Sequence, residues 1–305
     1  MPTTPHQLEN EHWQAGILPE TGASIAYGRV RRGDAWIDAL RPTAESDYGN
    51  SSKCASFIML PWANRIRDGV LRFGDQSWQL ATTQDDGTAR HGAARHFPWR
   101  VLEADETQIR LTFDSADHTQ VNSPFHFTAA AAYALDGRDF IWTLTLTNAD
   151  TRPFPCGFGH HPYFVRDRAH EPEIIIPCDR VYAMTNAMPD GAAIPVPPRL
   201  DFRTWRALDA QTLDDLYTGR AADAPARIRY THEGIEIAMH ADPIFAHWIA
   251  YAPDQPDLPP FFALEPQTNA NDGFNLYHQG IDGSGVIVLQ PGQTAMGDVV
   301  VRIES

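Results

Sequence analysis

The chain has 305 residues, of which 43% are hydrophobic, so it is long enough to bury a substantial core and has the composition of a globular protein. Its formal charge of −15 disfavours nucleic acid as a partner, because the overall field would repel phosphates. The first residues lack the basic start and apolar run of a secretory signal, and no apolar stretch is long enough to span a bilayer. We therefore expect a cytoplasmic protein, a monomer or homodimer, without nucleic-acid or membrane partners.

Strand-like patterns recur along the chain, each bounded by Gly, Pro, Asn or Asp. The clearest is at residues 140–147, where large apolar residues alternate with threonines as in a half-buried strand. Weaker patterns predict further strands at 109–113, 127–135, 227–230, 235–240, 285–289 and 298–303. An Asp-Gly or Glu-Gly pair beside these segments, at 136–137, 233–234 and 282–283, predicts hairpin turns.

Helical periodicity is confined to two short candidates, at 7–13 and 208–217. The 24 prolines interrupt longer helical patterns, for example at 192–198 and 253–260. The sequence therefore predicts an all-β fold, a large and mainly antiparallel β-sandwich. No internal repeat or polar linker divides the chain, so we expect a single domain spanning residues 1–305.

Three stretches contain polar residues that could carry chemistry. Asn64 and Arg65 lie between apolar residues, where an arginine usually forms a structural ion pair, and His91 ends a polar loop, where an ordinary surface histidine is the simpler interpretation. In GFGHHPYF, at 157–164, Pro162 disfavours helix at His161 and fixes an extended or turned geometry. A pKa of about 6.5 suits histidine to proton transfer near neutrality. A buried histidine satisfied by the backbone fits this stretch equally well.

Two further stretches contain carboxylates. Asp214 and Asp215 lie between apolar residues, where a helix cap is the simpler interpretation. Glu265 follows an apolar run that directs it toward the interior, and Pro266 is expected to end that strand. Because an unpaired buried carboxylate is expensive, this pattern favours a functional role for Glu265. Burial would raise its pKa toward the range of a general base, whereas nearby cations would keep it ionised.

Together, these stretches resemble the aldose 1-epimerase family, whose members are also called galactose mutarotases. The order Asn-Arg-Ile, His-Gly, His-x-Tyr-Phe, a short Asp-x-x-aromatic segment, Leu-Glu-x-Gln and a late Pro-Gly is similar to that family from about residue 20 to the end. The resemblance implies a twisted β-sandwich of the supersandwich, galactose mutarotase-like type. It also implies an enzyme that interconverts the α and β anomers of a hexose, a small-molecule sugar, without a metal or organic cofactor.

The resemblance assigns roles to individual residues. Glu265 corresponds to the family's catalytic base, and His161, two residues before the tyrosine, corresponds to its general acid. The positions that match sugar-binding residues are Arg65, His91 and Asp214, with Asn64 beside the arginine. Gln267 is a candidate helper. Candidates for an apolar wall against the sugar are Trp62, Trp99, Tyr163 and Trp248, although core packing is the ordinary role of such residues.

Departures from the family pattern concern the substrate. Gly-Ala-Ala follows His91 where a double glycine is common, and Gly159-His160 replaces an asparagine that often precedes the catalytic histidine. A related branch acts on hexose 6-phosphates, for which additional cations around the pocket are expected. The arginines near the matched segments are Arg67, Arg90 and Arg95, so a hexose-6-phosphate 1-epimerase stays open as an alternative.

Two other classes of protein also stay open. A non-catalytic carbohydrate-binding β-sandwich would use the sugar-binding residues but would not need both Glu265 and His161. A glycoside hydrolase or lyase would ordinarily need two carboxylates beside the bond, for which Glu265 and Asp214 are the candidates. A histidine acid fits a hemiacetal better, because the ring oxygen must gain and lose a proton reversibly. The epimerase is therefore the favoured interpretation.

Overall fold

Two large antiparallel sheets make up most of the molecule. A computed structural model describes residues 4–83, 85–209, 212–254 and 260–304. The larger sheet has eleven strands and the smaller has nine, and four pairs of short strands form two-stranded sheets within these residues. The prediction of an all-β, antiparallel fold is confirmed.

The strands are numbered in chain order. The first fourteen are β1 (His6–Glu9), β2 (Trp13–Leu18), β3 (Ser24–Arg32), β4 (Ala35–Leu40), β5 (Ser56–Met59), β6 (Arg65–Ile66), β7 (Val70–Phe73), β8 (Gln76–Gln79), β9 (Ala89–Arg90), β10 (Arg100–Ala104), β11 (Gln108–Asp114), β12 (Phe127–Asp136), β13 (Asp139–Asn148) and β14 (Phe154–Cys156). The others are β15 (Gly159–Val165), β16 (Glu173–Ile175), β17 (Cys178–Val181), β18 (Met184–Thr185), β19 (Met188–Pro189), β20 (Ile194–Pro195), β21 (Arg206–Ala207), β22 (Leu213–Arg220), β23 (Ala226–Tyr230), β24 (Ile235–Ala241), β25 (His247–Ala252), β26 (Phe261–Gln267), β27 (Ile287–Leu289) and β28 (Thr294–Ile303).

Helices are few and short in the described chain. The α-helix is α1 (Gly273–His278). The 3-10 helices are Pro19–Thr21, Glu45–Asp47, Ser51–Lys53, Arg67–Gly69, Ala94–His96, Ser115–Asp117 and Pro198–Leu200. Among the residues described, no helix has the length and apolar character needed to cross a membrane.

The order of strands brings distant parts of the chain together. The larger sheet runs β1-β2-β3-β4-β15-β26-β25-β22-β17-β20, with β5 paired to both β15 and β3. The smaller sheet runs β10-β11-β12-β13-β28-β24-β23-β16-β21. The strands β15, β26, β25 and β22 are therefore neighbours, although β15 and β26 are separated by about a hundred residues of sequence.

The alternating sequence of β13 explains how the two sheets pack. Phe140, Trp142, Leu144 and Leu146 are fully buried, while Ile141 and the threonines that alternate with them are half-buried. β13 pairs with β12 along ten residues through a two-residue turn, where Gly137 adopts a positive φ. The Phe140 ring lies 5.7 Å from Trp13 of the larger sheet. Residues of both sheets thus share one hydrophobic core.

Each predicted strand segment contains a strand, but several details of the sequence-based prediction are wrong. Both predicted helices are absent: 7–13 contains β1 and the start of β2, and 208–217 contains the start of β22, with 210 and 211 outside the described residues. The turns at 136–137 and 233–234 join paired strands, whereas 282–283 follows α1 and joins none. Pro266 does not end its strand, because β26 continues to Gln267.

Candidate active site

A cavity of about 230 Å³ lies against one face of the larger sheet. Its lining residues are Ser52, Phe57, Asn64, Arg65, Arg90, His91, Arg95, His161, Tyr163, Asp214, Ile249, Tyr251 and Glu265. Strand pairing explains why several of them converge, since residues opposite each other across an antiparallel ladder point to the same face. The opposed pairs are Phe57 with His161, Ile249 with Glu265, and Asp214 with Tyr251.

His161 and Glu265 face each other across neighbouring strands. The pairs Gly159–Gln267 and Tyr163–Ala263 fix the register of β15 against β26, and His161 and Glu265 lie midway between them. His161 Nε2 is 3.2 Å from Glu265 Oε1. The exposed fractions of the two side chains are 7% and 2%, respectively, so the pair forms an almost fully buried floor of the cavity.

Burial shifts the pKa values of this pair in opposite directions. The pKa of Glu265 is raised well above 4.5, mainly by desolvation and further by the charge of Asp214. The pKa of His161 is lowered well below 6.5, mainly by desolvation and further by the charge of Arg95. Both shifts favour the uncharged form of each group. A proton shared between the two groups is therefore favoured on Glu265.

Two short loops bring a further pair of predicted residues to the cavity. Asn64 and His91 both adopt positive φ, 56° and 60°, and the His91 N–H donates to the Asn64 carbonyl at 2.7 Å. The pairing of β6 with β9 sets Arg65 opposite Arg90 beside them. A positive φ in a residue other than glycine is uncommon and recurs at functional sites. The Asn-Arg and Arg-His-Gly segments thus form one structural unit.

Gly92 is required by the close approach of this unit to the chain near Leu60. A Cβ at Gly92 would lie 2.1 Å from the Leu60 carbonyl oxygen, and φ is +69°. Only glycine fits such a position without displacing the backbone. His91 is consequently held with its Nδ1 3.0 Å from Met59 Sδ and its ring centroid 5.2 Å from that of His161. Burial, reinforced by the charge of neighbouring cationic groups, lowers the pKa of His91 well below 6.5.

Arg65 is oriented by two oxygen acceptors. Its Nε donates to Asp86 Oδ2 at 2.9 Å, and its Nη1 donates to Asn64 Oδ1 at 3.1 Å. Asp86 is itself held by Thr83 and Thr88, whose hydroxyl groups donate to its Oδ1. The ordinary structural ion pair expected for Arg65 is therefore present. It leaves the arginine lining the cavity in a fixed position.

The structure brings all six predicted site residues to this one cavity: Asn64, Arg65, His91, His161, Asp214 and Glu265. Asp214 lies on a strand, so the helix-cap interpretation is wrong, and its side chain is exposed at the cavity rim. Gln267 is fully buried and does not line the cavity; its Nε2 donates to the Asn269 carbonyl. Arg67 instead contacts Asp272, at 3.2 Å.

Other lining residues had little or no sequence signal. Trp62, Trp99 and Trp248 belong to the hydrophobic core, and of the aromatic candidates only Tyr163 lines the cavity. Ser52, Phe57, Ile249 and Tyr251 were not predicted. The last three lie on strands, and their sequence does not indicate which face of each strand lines the cavity. The face follows from the pairing of these strands with β15, β26 and β22. The described residues contain no group of three or more His, Cys, Asp or Glu side chains arranged to hold a metal ion.

Comparisons with known proteins agree with this fold. The family model for aldose 1-epimerase matches residues 6–302. The chain is 24% identical to the uncharacterized protein YphB of Escherichia coli K12 in an alignment of 287 positions, which covers 88% of this chain and 91% of that protein. Several solved structures share the fold, of which two are described. A galactose mutarotase-like protein from Clostridium acetobutylicum has a TM-score of 0.85 and 16% identity, covering 98% of this chain and 94% of that chain.

The second structure is the GalM/aldose epimerase homologue from C. elegans, with a TM-score of 0.84 and 17% identity over 99% of both chains. At these identities the structural likeness concerns the fold. The family model, in contrast, spans nearly the whole sequence, including every strand that contributes to the cavity. This chain belongs to the aldose 1-epimerase family.

Proposed function

We propose that this protein interconverts the α and β anomers of a hexose by opening the ring at C1 and closing it on the other face. The observation that supports this most is the facing of His161 and Glu265 in the cavity floor, 3.2 Å apart. His161 Nδ1 and Glu265 Oε2 are both buried without a hydrogen-bond partner in the described chain. Buried polar atoms without partners are rare in proteins, and here they belong to two groups suited to proton transfer.

Ring opening requires one proton to leave the C1 hydroxyl and one to reach the ring oxygen. Glu265, as a carboxylate, takes the proton from the C1 hydroxyl, whose oxygen becomes the carbonyl oxygen of the aldehyde. The bond between C1 and the ring oxygen breaks with its electron pair on that oxygen, which receives a proton from the His161 imidazolium. Rotation about C1–C2 and the reverse transfers then close the ring as the other anomer.

The shifted pKa values are compatible with this exchange. Before ring opening the pair is a carboxylate and an imidazolium; afterwards it is a carboxylic acid and a neutral imidazole, with the same total of one proton. Burial raises the pKa of Glu265 and lowers that of His161, so the low dielectric favours the uncharged arrangement. Desolvation therefore assists proton transfer from the sugar to Glu265. Before that transfer, contact with the sugar hydroxyls stabilises the Glu265 carboxylate and the His161 imidazolium.

The remaining predicted residues have roles in holding the sugar. Arg65 donates to hydroxyl oxygens from the position that Asp86 and Asn64 give it. His91, whose pKa is lowered by burial, is neutral and can donate from one ring nitrogen and accept at the other. Asp214, at the exposed rim, accepts from a hydroxyl. Positioning of the hemiacetal between these groups and the proton-transferring pair contributes to the rate.

Polarimetry tests this proposal. Freshly dissolved α-D-glucose and α-D-galactose are followed with and without the protein, and the spontaneous rate is subtracted. We expect faster approach to the same final rotation, with no change in composition, and a return to the spontaneous rate for Glu265→Gln. New reducing ends from a glycoside would instead indicate hydrolysis. If aldoses from a tested panel bind to the protein but their anomers still equilibrate at the spontaneous rate, the result would favour a non-catalytic carbohydrate-binding protein.

A further inference from the structure

An asparagine outside the cavity is bound to the segment that carries two of the lining residues. Asn269, four residues after Glu265, is 1% exposed and does not line the cavity. Its Nδ2 donates to the Ala63 carbonyl at 3.0 Å, and its Oδ1 accepts from the Ala63 N–H at 3.0 Å. The second hydrogen of Nδ2 is donated to the Ala270 carbonyl at 2.9 Å. One side-chain amide therefore pairs with both backbone groups of the residue that precedes Asn64.

The turn that begins at Asn269 continues along the same segment, residues 63–67, which we call the sugar-binding arm. The Asp272 N–H donates to the Arg65 carbonyl at 2.7 Å. Asp272 Oδ1 accepts from the Arg67 N–H at 2.9 Å, and its Oδ2 accepts from Arg67 Nε at 3.2 Å. The contacts fall on every second residue of the arm, as those of a neighbouring strand would.

Backbone strain explains why the arm needs this support. Asn64 adopts a φ of 56°, in the left-handed region that is unfavourable for residues other than glycine. Such a conformation persists only where surrounding contacts fix it. Here the contacts lie on both sides of Asn64, at Ala63 through Asn269 and at Arg65 through Asp272.

Asn269 also accounts for the first glycine of GFGHHPYF. A Cβ at Gly157 would lie 2.0 Å from Asn269 Oδ1, so a larger residue there would displace the amide. The Phe158 N–H donates to Thr268 Oγ1 at 2.9 Å, and the Thr268 N–H donates to the Phe158 carbonyl at 2.8 Å. The chain that leads into the strand of His161 is therefore packed and hydrogen-bonded against the start of the same turn.

Three stretches with different roles thus meet at Asn269. They are the strand that carries Glu265, the approach to the strand that carries His161, and the arm that carries Arg65. Groups that hold a substrate and groups that transfer its protons must keep a fixed mutual geometry, because a displacement of about 1 Å can cost about 10²-fold in rate. A shift of the Asn269 amide would change that geometry without touching the sugar.

We propose that Asn269 is a positioning residue, which sets Asn64 and Arg65 at the distance from Glu265 and His161 that the sugar requires. This inference rests on the proposed function, since it is the sugar-binding role of the arm that gives Asn269 its importance. Asp272 completes the support through the Arg65 carbonyl and the Arg67 N–H. Loss of Asn269 should therefore weaken the hold on the sugar more than it slows the proton transfers.

The test is Asn269→Ala, with Asn148→Ala as the matched control. Asn148 is also 1% exposed and does not line the cavity. Its Nδ2 donates to the carbonyls of Arg152 and Leu289, at 2.9 and 2.7 Å, and its Oδ1 accepts from the Asp150 N–H at 2.8 Å. Both variants remove a buried amide with three hydrogen bonds, so both should lower the melting temperature by a similar amount. Only Asn269→Ala should change the handling of the sugar.

Kinetics separate positioning from a general loss of stability. The two constants kcat and KM are measured for anomer exchange of D-glucose or D-galactose, whichever the wild type exchanges faster, per mole of folded protein. For Asn269→Ala we expect KM to rise about tenfold and kcat to fall by less than about threefold, with Asn148→Ala within about twofold of wild type in both. A lower kcat at unchanged KM, or equal effects of the two variants, would overturn the inference.

Hydrogen exchange tests the support of the arm without a sugar. The N–H groups of Ala63 and His91 donate to Asn269 Oδ1 and to the Asn64 carbonyl. Asn269→Ala should speed exchange at both by about tenfold or more and leave β12 unchanged. If Asn269→Ala does not fold, Asp272→Asn is the milder variant, and it should speed exchange of the Arg67 N–H and raise KM by about threefold.

The two readouts keep this inference distinct from the proposed function. If the wild type exchanges no aldose but binds one, the calorimetric dissociation constant of that aldose replaces KM, and a weaker complex with Asn269→Ala would support the inference while the proposed function fails. Unchanged hydrogen exchange in the arm, or unchanged KM, in a protein whose wild type accelerates anomer exchange would overturn the inference and leave the proposed function standing.

Discussion

His161 and Glu265 lie opposite each other on β15 and β26, with 3.2 Å between Nε2 and Oε1, and each is followed by a proline. Pro162 and Pro266 supply no backbone N–H, so the ladder between these strands is anchored at the Gly159–Gln267 and Tyr163–Ala263 pairs on either side. The sheet therefore fixes the two side chains from both ends and leaves their functional groups directed into the cavity.

Removing either member of this pair should abolish most of the anomer exchange. Glu265→Gln and His161→Asn change little in volume but remove proton transfer, so we expect losses of about 10²-fold or more in kcat with the fold intact. Exchange is followed by polarimetry, and folding by circular dichroism. The matched controls are Glu103→Gln and His170→Asn, whose side chains are exposed and do not line the cavity. Full activity in both site variants would contradict the proton-transfer roles.

The pH dependence of kcat/KM should show an acid limb below pH 6.5. Activity requires one proton on the His161–Glu265 pair. Because desolvation lowers the pKa of His161 below 6.5, a second proton binds only under more acidic conditions. Because desolvation raises the pKa of Glu265 above 4.5, the single proton is retained to higher pH than an ordinary glutamate would allow. Rates are measured from about pH 4 to pH 9 after subtraction of spontaneous exchange. A decline that already begins above pH 6.5 on acidification would argue against this assignment.

Glu265→Gln should also stabilise the folded protein near neutral pH. The pKa of Glu265 is raised on folding, so its favourable contribution to stability is complete below 4.5 and is lost as the pH rises toward the folded-state pKa. Glutamine does not ionise and avoids that loss. We expect a gain of about 1 kcal/mol, or about 2 °C in melting temperature, at neutral pH. Calorimetry at about pH 7 should show this gain and at pH 4.5 should not; an equal gain at both would point to another cause.

Asp86 should act as a positioning residue for Arg65. Asp86→Ala removes the acceptor at 2.9 Å from Arg65 Nε, and we expect KM to rise about tenfold with kcat changed far less. The neighbouring Asp85 is 78% exposed and contacts only Arg90, at 3.5 Å, among the described residues, so Asp85→Ala is the matched control and should behave as wild type. A fall in kcat at constant KM for Asp86→Ala would place Asp86 in the chemical step instead.

Alternation of apolar and polar residues was sufficient to predict β11, β12, β13 and β28, because each is buried on one face. The same rule failed at β22. Leu213, Leu216 and Tyr217 are spaced like the apolar face of a helix, but they are buried on opposite faces of a strand between β17 and β25. Because β22 is buried on both faces, its apolar residues do not alternate with polar ones. Only the tertiary structure then distinguishes a strand from a helix at this segment.

Site residues that belong to a sequence motif could be predicted. Residues that reach the cavity only through strand pairing could not. Asn64, Arg65, His91, His161, Asp214 and Glu265 were named from the motif order, and all line the cavity. Phe57 and Ile249 are apolar strand residues like many others in the chain, and they reach the cavity only because β5 and β25 pair with β15 and β26. The sequence also does not show that Arg65 has a carboxylate partner whereas Arg95 has none among the described residues. This difference depends on the position that Asp86 takes in the folded chain.

The most direct test of the account is exchange spectroscopy by proton NMR on an equilibrated aldose, with wild type and Glu265→Gln at equal concentration. At equilibrium no composition changes, so only the rate of transfer between the two anomeric proton signals is measured. We predict that the wild type increases this rate for at least one neutral or acidic aldose, and that Glu265→Gln reduces the increase by about 10²-fold or more. An equal increase in both proteins, or none in the wild type for any aldose that binds, would contradict the account.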